Sequence, residues 1–419
     1  MIQSIKPKRD EMTALIQQAV GAVERREDIP FSQSCGRVCA ADVFSRNTLP
    51  NRPVSRFDGI GVRFDDFAGG MPDTRQWREG REYVFCNTGI AIPDGFDTVI
   101  AIEDVEVLEQ GIALHAVPKA RGEMVNPVGC NLRAGEPLAR RGDVLVPAHV
   151  GLFAAGGVET VPVYARPRVA VLPTGDELVP PTDQVPPGKN VESNSYMIAA
   201  YLEQWGAEAV CLPIAADSLE GIADTLQKAL EQCDAAIIIA GSSLGAKDFT
   251  IRVLDRLGQV LAPELAHGPG RKSSLSVVGG KPVLGVAGPP MGAQITCDLY
   301  LAPFVAALRG VPYVRLQQLE VICDDPFAAH PVDFCERVHI YRGQDGYHIR
   351  SAFAPETTRA QMQAIANGNF YRPANTACAV GGKTAVELLC PSRRSRTGIS
   401  CRTSWGKEVT GHEQPLAAV

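Results

Sequence analysis

The sequence predicts a multidomain α/β protein: a central parallel-sheet α/β domain, β-rich N-terminal domains and a small C-terminal β domain. Three observations predict it. From Arg168 to about Leu308 apolar strand-like runs alternate with amphipathic helical stretches, and parallel strands need such crossovers. From Pro30 to Arg166 short apolar runs such as Val84-Phe85, Thr98-Val99-Ile100 and Val144-Leu145-Val146 are punctuated by Gly and Pro. After Pro312 short alternating pieces return, among them Val338-His-Ile-Tyr341 and Tyr347-His-Ile-Arg350, ending near Leu389.

The elements follow in order. Met12, Leu15, Ile16, Ala19 and Val23 recur along one helical face, predicting a packing helix. Arg168-Val-Ala-Val-Leu172 is the first strand of the α/β segment. A helix follows with Asn194 as its cap; Ile198, Tyr201, Leu202 and Trp205 line its apolar face and Gly206 stops it. Ala209 to Leu212 is the next strand, and Leu219, Ile222, Leu226 and Leu230 mark a second helix. Ala235 to Ala240 reads as a buried strand, Val253, Leu254 and Leu257 as a third helix, and Pro282 to Val286 as another strand. The last helix runs from about Ala293 to Leu308 and ends at Gly310. Pro391 to Val419, rich in Arg and Ser, reads as a disordered tail.

Length and charge narrow the function. The chain has 419 residues, which at about 150 per domain allows two to four domains. Lys and Arg number 41 against 47 Asp and Glu, a net charge of -6, and no basic run precedes the tail, so nucleic acid is not the expected partner. Apolar stretches such as Ala235 to Ala240 fall far short of a bilayer span, so no membrane partner is expected. Met1 to Asp10 lacks the anatomy of a secretory signal, which makes the cytoplasm the expected compartment. Twelve cysteines without a CxxC pair point to free thiols rather than disulfides or zinc.

Ligands of open α/β sheets bind beyond the carboxyl ends of the strands, and there the loops carry chemistry. Pro173-Thr-Gly-Asp-Glu-Leu178 places Gly175, Asp176 and Glu177 after the first strand; the acids either hold a hard cation such as Mg²⁺ or sit in a solvated turn. Gly241-Ser-Ser-Leu-Gly-Ala-Lys-Asp248 follows the buried strand, and Gly241, Ser242, Ser243 and Gly245 offer amides and hydroxyls to an anion, with Asp248 as a ligand for an associated metal. Gly285-Val-Ala-Gly-Pro-Pro-Met-Gly292 brings Gly288 and Pro290 to a helix start. His267-Gly-Pro-Gly-Arg-Lys-Ser-Ser274 supplies Arg271, Lys272 and Ser273 for a phosphate or another oxyanion. Asp217 either joins this cluster or starts a helix, and Asp58 by its spacing alone reads as a turn aspartate.

Taken in order, these motifs resemble the molybdopterin molybdenumtransferase family, which includes the E domain of gephyrin. Arg52-Pro-Val-Ser-Arg-Phe-Asp-Gly-Ile-Gly-Val62 looks like the family's SxxDGxAV, and Asn87-Thr-Gly-Ile-Ala-Ile-Pro-Asp-Gly-Phe-Asp-Thr-Val99 is similar to its TGAxxPxGADAVV. Leu172-Pro-Thr-Gly-Asp-Glu-Leu178 resembles STGDEL, Val191-Glu-Ser-Asn194 the D-[ST]-N helix start, and Asp217 the first acid of a DD pair.

The resemblance implies an elongated homodimer of four-domain subunits, placed here at 1–50 with 130–166 (linker and dimerisation), 51–129 (β-rich insertion), 167–311 (molybdopterin adenylyltransferase-like and molybdopterin-binding) and 312–390 (C-terminal β domain), with 391–419 as tail. It implies a Mg²⁺-dependent insertion of molybdate into adenylated molybdopterin with release of AMP, in molybdenum cofactor biosynthesis. By motif match Glu177, Asp217 and Asp248 become catalytic metal or pyrophosphate residues, while Asp58 and Thr88 reach the cleft from the partner subunit. A molybdopterin adenylyltransferase and acceptor molybdoenzymes are the implied partners.

The sequence departs from the family at its loops. GGVSxGxxD appears as Ala240-Gly-Ser-Ser-Leu-Gly-Ala-Lys-Asp248, PGKP as Pro269-Gly-Arg-Lys272, GLPGNPVS as Gly285-Val-Ala-Gly-Pro-Pro-Met-Gly292, and Asn131 stands where an aspartate is usual. These departures define the alternative: a catalytically impaired paralogue that binds molybdopterin or finished cofactor for storage, delivery or sensing.

Overall fold

The computed structural model describes residues 6–240, 249–353 and 358–389. They divide into two compact units, 6–24 with 166–389 and 25–165.

The larger unit is built on β1 (Arg168–Pro173), β2 (Glu208–Cys211), β3 (Ala235–Ala240), β4 (Gly258–Ala262), β5 (Ser274–Val278) and β6 (Lys281–Ala287), which form one sheet in the order β2-β1-β3-β6-β5-β4. The pairs β2-β1, β1-β3 and β3-β6 are parallel, whereas β5 and β4 add antiparallel. The sheet is therefore mixed rather than wholly parallel. Gly279 and Gly280, at φ +56° and +79°, make the two-residue turn that folds β5 back onto β6, a geometry L side chains rarely adopt.

Strand alternation sends the two sides of β1 into different cores. Val169 and Val171 face α1 (Arg9–Ala19), α2 (Asn194–Gln204) and α5 (Pro290–Leu308) through Met12, Ile16, Ile198, Leu202 and Ile295. Ala170 and Leu172 face α3 (Leu219–Gln232) and α4 (Phe249–Leu257) through Ile222, Leu226, Val253 and Leu254. The opening helix thus belongs with the α/β layer, not with the segment that follows it in sequence. The Ser218 hydroxyl caps α3 by accepting from the Gly221 amide at 3.1 Å. By length and composition α5 could cross a membrane, but Leu299, Tyr300 and Phe304 are at most 1 % exposed, which makes it a core helix.

A closed barrel follows. Strands β7 (Gln318–Cys323), β8 (Asp333–Arg342), β9 (Tyr347–Ser351), β10 (Gly368–Arg372) and β11 (Lys383–Leu388) pair in the order β8-β9-β7-β11-β10, and β10 returns to β8 to close the ring. Closure removes the exposed edges that a small open sheet would leave.

The second unit is β-rich, as the sequence predicts. Gly59–Val62 is the centre of a three-stranded sheet flanked by Tyr83–Cys86 and Thr98–Ala101. Only glycine fits at position 59, because a Cβ there would stand 2.0 Å from the Ile100 carbonyl oxygen. Arg26–Pro30 pairs antiparallel with Thr160–Tyr164, and a helix at Pro147–Ala155 packs Phe153 into their core.

Candidate active site

The loop after β1 begins with Thr174, whose hydroxyl donates to the Ile239 carbonyl at 2.9 Å and so ties the ends of β1 and β3 together. Gly175 then turns at φ +146°, and a Cβ there would meet the Glu177 carboxylate at 2.8 Å. The glycine therefore lets the Glu177 carboxylate fold back over the strand ends. Asp176 is exposed; one of its carboxylate oxygens accepts the Asp217 amide at 3.2 Å, and its carbonyl accepts Lys189 Nζ at 2.6 Å. Asp176 and the Asp217 backbone thus meet beyond the ends of β1 and β2, while the Glu177 carboxylate folds back over Gly175.

At these strand ends the described residues line a crevice of about 340 Å³. Thr174, Glu177, Asn190, Glu192, Asn194, Gly288 and Pro290 line it, together with Arg359, the first residue of α6 (Arg359–Ile365). Arg359 carries no mark in the sequence. No periodicity or motif marked it, because its place in the crevice comes from the fold of the C-terminal segment.

Asn194 does not cap α2. The Glu192 carboxylate accepts the Ser195 amide at 2.9 Å and the Ser195 hydroxyl as well, which satisfies the helix start. Asn194 instead donates to the Gly288 carbonyl at 2.8 Å, and its own carbonyl oxygen is buried with no partner among the described residues. It links the start of α2 to the loop that precedes α5.

The HGPGRK loop is held from beneath. Ser273 is fully buried; its hydroxyl bonds Thr296 Oγ1 at 2.8 Å and accepts the Ala287 amide at 3.3 Å. It braces the loop rather than offering a hydroxyl to ligand. Gly270 and Gly292 touch, since a Cβ on Gly292 would lie 3.1 Å from the Gly270 nitrogen. The glycine that replaces the family's serine therefore lies against the altered PGRK loop. Arg271 and Lys272 are exposed, and Arg271 pairs with Glu264 at 3.2 Å.

At the root of that loop His267 is 1 % exposed and bonded to the Tyr300 hydroxyl. Burial lowers its pKa to about 4. A depressed folded value means that the unfolded chain takes up the proton first, so folding stability is present above pH ~6.5 and falls as pH drops toward 4. The full loss is about 3 kcal/mol. In urea unfolding at pH 7 and pH 4.5, His267→Gln is expected to show a smaller acid loss than the parent chain; parallel losses would refute it.

Asp58 and Thr88 meet in the other unit. The Thr88 amide donates to Asp58 Oδ1 at 2.8 Å and its hydroxyl donates to the same oxygen at 3.2 Å, in an exposed turn flanked by half-exposed Phe57 and Ile90. Gly241, Ser242, Ser243, Gly245 and Asp248 lie outside the described residues. Among those described, no group of three or more His, Cys, Asp or Glu is gathered as a metal cluster.

The described residues thus form a mixed α/β layer with acids at its strand ends and a crevice lined by Glu177, Glu192 and Arg359. Two family models place it further. Residues 8–157 match the one described as MoeA N-terminal region (domain I and II), and residues 170–307 the one described as Probable molybdopterin binding domain. The chain belongs to the MoeA-type molybdopterin molybdenumtransferase family.

Relatives agree. A molybdopterin molybdenumtransferase from Haemophilus influenzae is 29% identical over 68% of this chain and 73% of its own length. Molybdopterin molybdenumtransferase 2 of Mycobacterium tuberculosis is 27% identical over 68% of this chain and 75% of its own. The structure of a molybdopterin biosynthesis MoeA protein from Pyrococcus horikoshii superposes with a TM-score of 0.74 at 23% identity, covering 92% of this chain and 100% of that one. A molybdenum cofactor biosynthesis protein from Pyrococcus furiosus does so at 0.53 and 17% identity, with the same coverage. At these identities the structures establish the fold.

Proposed function

We propose that this chain is a transferase of molybdenum cofactor biosynthesis, inserting molybdate into adenylated molybdopterin in a Mg²⁺-dependent step that releases AMP. The observation that carries it is the crevice at the strand ends, which Glu177 lines together with Gly288, Pro289, Pro290 and Arg359. The pterin pyrophosphate would lie along the rim of Asp176, Glu177 and Asp217, with the oxyanion toward the cations Arg271, Lys272 and Arg359. Oxygen donors of this kind fit Mg²⁺, which is held by one or two carboxylates together with substrate phosphates. Glu177 and Asp217 would hold it, joined by Asp248. Bound there, it supplies charge neutralisation and polarisation of the P–O bond.

The exposed Asp58–Thr88 turn, with Phe57 and Ile90 beside it, is the element we assign to the crevice of a second copy in a homodimer. The protein would act in the cytoplasm, receiving substrate from a molybdopterin adenylyltransferase and passing product to molybdoenzymes. The contact between Gly292 and Gly270 sets one departure from the family pattern against the glycine that the PGKP pattern keeps, so that loop junction stays closely packed.

With adenylated molybdopterin, Mg²⁺ and molybdate, the purified chain is expected to release AMP, and chelation of Mg²⁺ to stop it. Tight pterin binding without AMP would instead establish the impaired paralogue that stores, delivers or senses cofactor.

A further inference from the structure

Cys323 ends β7 with its side chain buried, and Cys378 lies half-buried in the 373–382 connection between β10 and β11. Their sulfurs are 2.7 Å apart. This proximity is built from both sides. Cys378 exchanges two backbone hydrogen bonds with Phe327, at 2.8 and 2.9 Å, while Cys323 accepts from the Gly381 amide at 2.7 Å and donates to the Gly382 carbonyl at 2.9 Å. Glycine at 382 makes the space, since a Cβ there would stand 2.9 Å from the Cys378 sulfur. The backbone thus delivers two thiols to one point in the barrel, and a bond between them needs a closure of under about 1 Å.

We infer that Cys323 and Cys378 form an oxidation site, a dithiol that a peroxide converts to a reversible disulfide strapping β7 to the β10–β11 connection. The more accessible Cys378 reacts first: its thiolate attacks one peroxide oxygen, the O–O bond breaks, and the other oxygen leaves as hydroxide, which takes up the proton the Cys378 thiol released and becomes water, giving a sulfenic acid. Cys323 then attacks that sulfur; the S–O bond breaks, the hydroxide takes the Cys323 proton, and a second water leaves as the S–S bond forms. The two sulfurs together lose two electrons, and peroxide gains them. Burial and the neighbouring sulfur hold the Cys323 thiol well above its ordinary pKa, which suits it to the second step rather than the first.

The test uses the full chain, reduced, freed of reductant, treated with a small excess of hydrogen peroxide, then acid-quenched, unfolded and alkylated. Two of the twelve thiols are expected to be lost, with the mass of two hydrogens, and fragment spectra should join Cys323 to Cys378 rather than to Cys335. Dithiothreitol should restore both. Cys378→Ser should leave Cys323 fully alkylatable after peroxide; the parent measurement stands alone if that variant does not fold. Full alkylation of both residues after peroxide has consumed the exposed Cys35, Cys130 or Cys211 would overturn the inference, as would a bridge to Cys335.

Discussion

Replacing Asp298 with Asn is expected to destabilise the protein by about 3–5 kcal/mol, roughly two to four orders of magnitude in the folding equilibrium. Asp298 sits in the π turn of α5 and is buried against β8 and β10 of the barrel. It accepts from the Arg337 guanidinium, from Tyr201 at 3.2 Å and from Asn369 at 3.4 Å. Arg337 is itself 3 % exposed, so the neutral variant leaves a cation in the interior without its counter-charge. Burial holds the Asp298 carboxyl above its ordinary value, and Arg337, Asn369 and Tyr201 offset only part of that rise. Asp298→Leu combined with Arg337→Met removes both charges and should recover most of the loss. Urea unfolding of the three variants checks this; a single variant within 1 kcal/mol of the parent would show that water reaches the pair.

Glu177→Gln is expected to lower turnover by about 10²–10³-fold, the range for removing one oriented electrostatic contact from a reacting phosphate. The amide keeps the size of the side chain, so the Gly175 turn and the crevice persist while the charge is gone. The apparent affinity for Mg²⁺ should fall together with turnover, and circular dichroism should not change. Asp217→Asn should act in the same direction and combine with Glu177→Gln less than additively, because both serve one rim. Turnover kept at parental level by Glu177→Gln would remove this carboxylate from the mechanism, whatever the AMP assay shows.

Part of this site was legible in the sequence for physical reasons. A glycine followed by two acids after an apolar run forecasts a strand-end loop with carboxylates, and Gly175, Asp176 and Glu177 form one. Seryl chemistry was less legible. Ser273 looks like a ligand donor beside Arg271 and Lys272, yet its neighbours in space are Thr296 and Ala287, both more than ten residues away. Asn194 stands where a cap belongs, but Glu192 reaches the helix start first and frees Asn194 for Gly288. Polar side chains carry no periodic signature that says which partner they will meet.

The chain by itself determined its strands and helices, through apolar repeats of period two and 3.6, and its strand-end acids, through local turn chemistry. Only the tertiary structure decided that β5 turns back on β6, that β10 closes the barrel onto β8, and that Asp298 and Arg337 share one interior. Local patterns record how a segment meets its own burial. Pairings between distant segments depend on the shape of the whole core, which no short window contains.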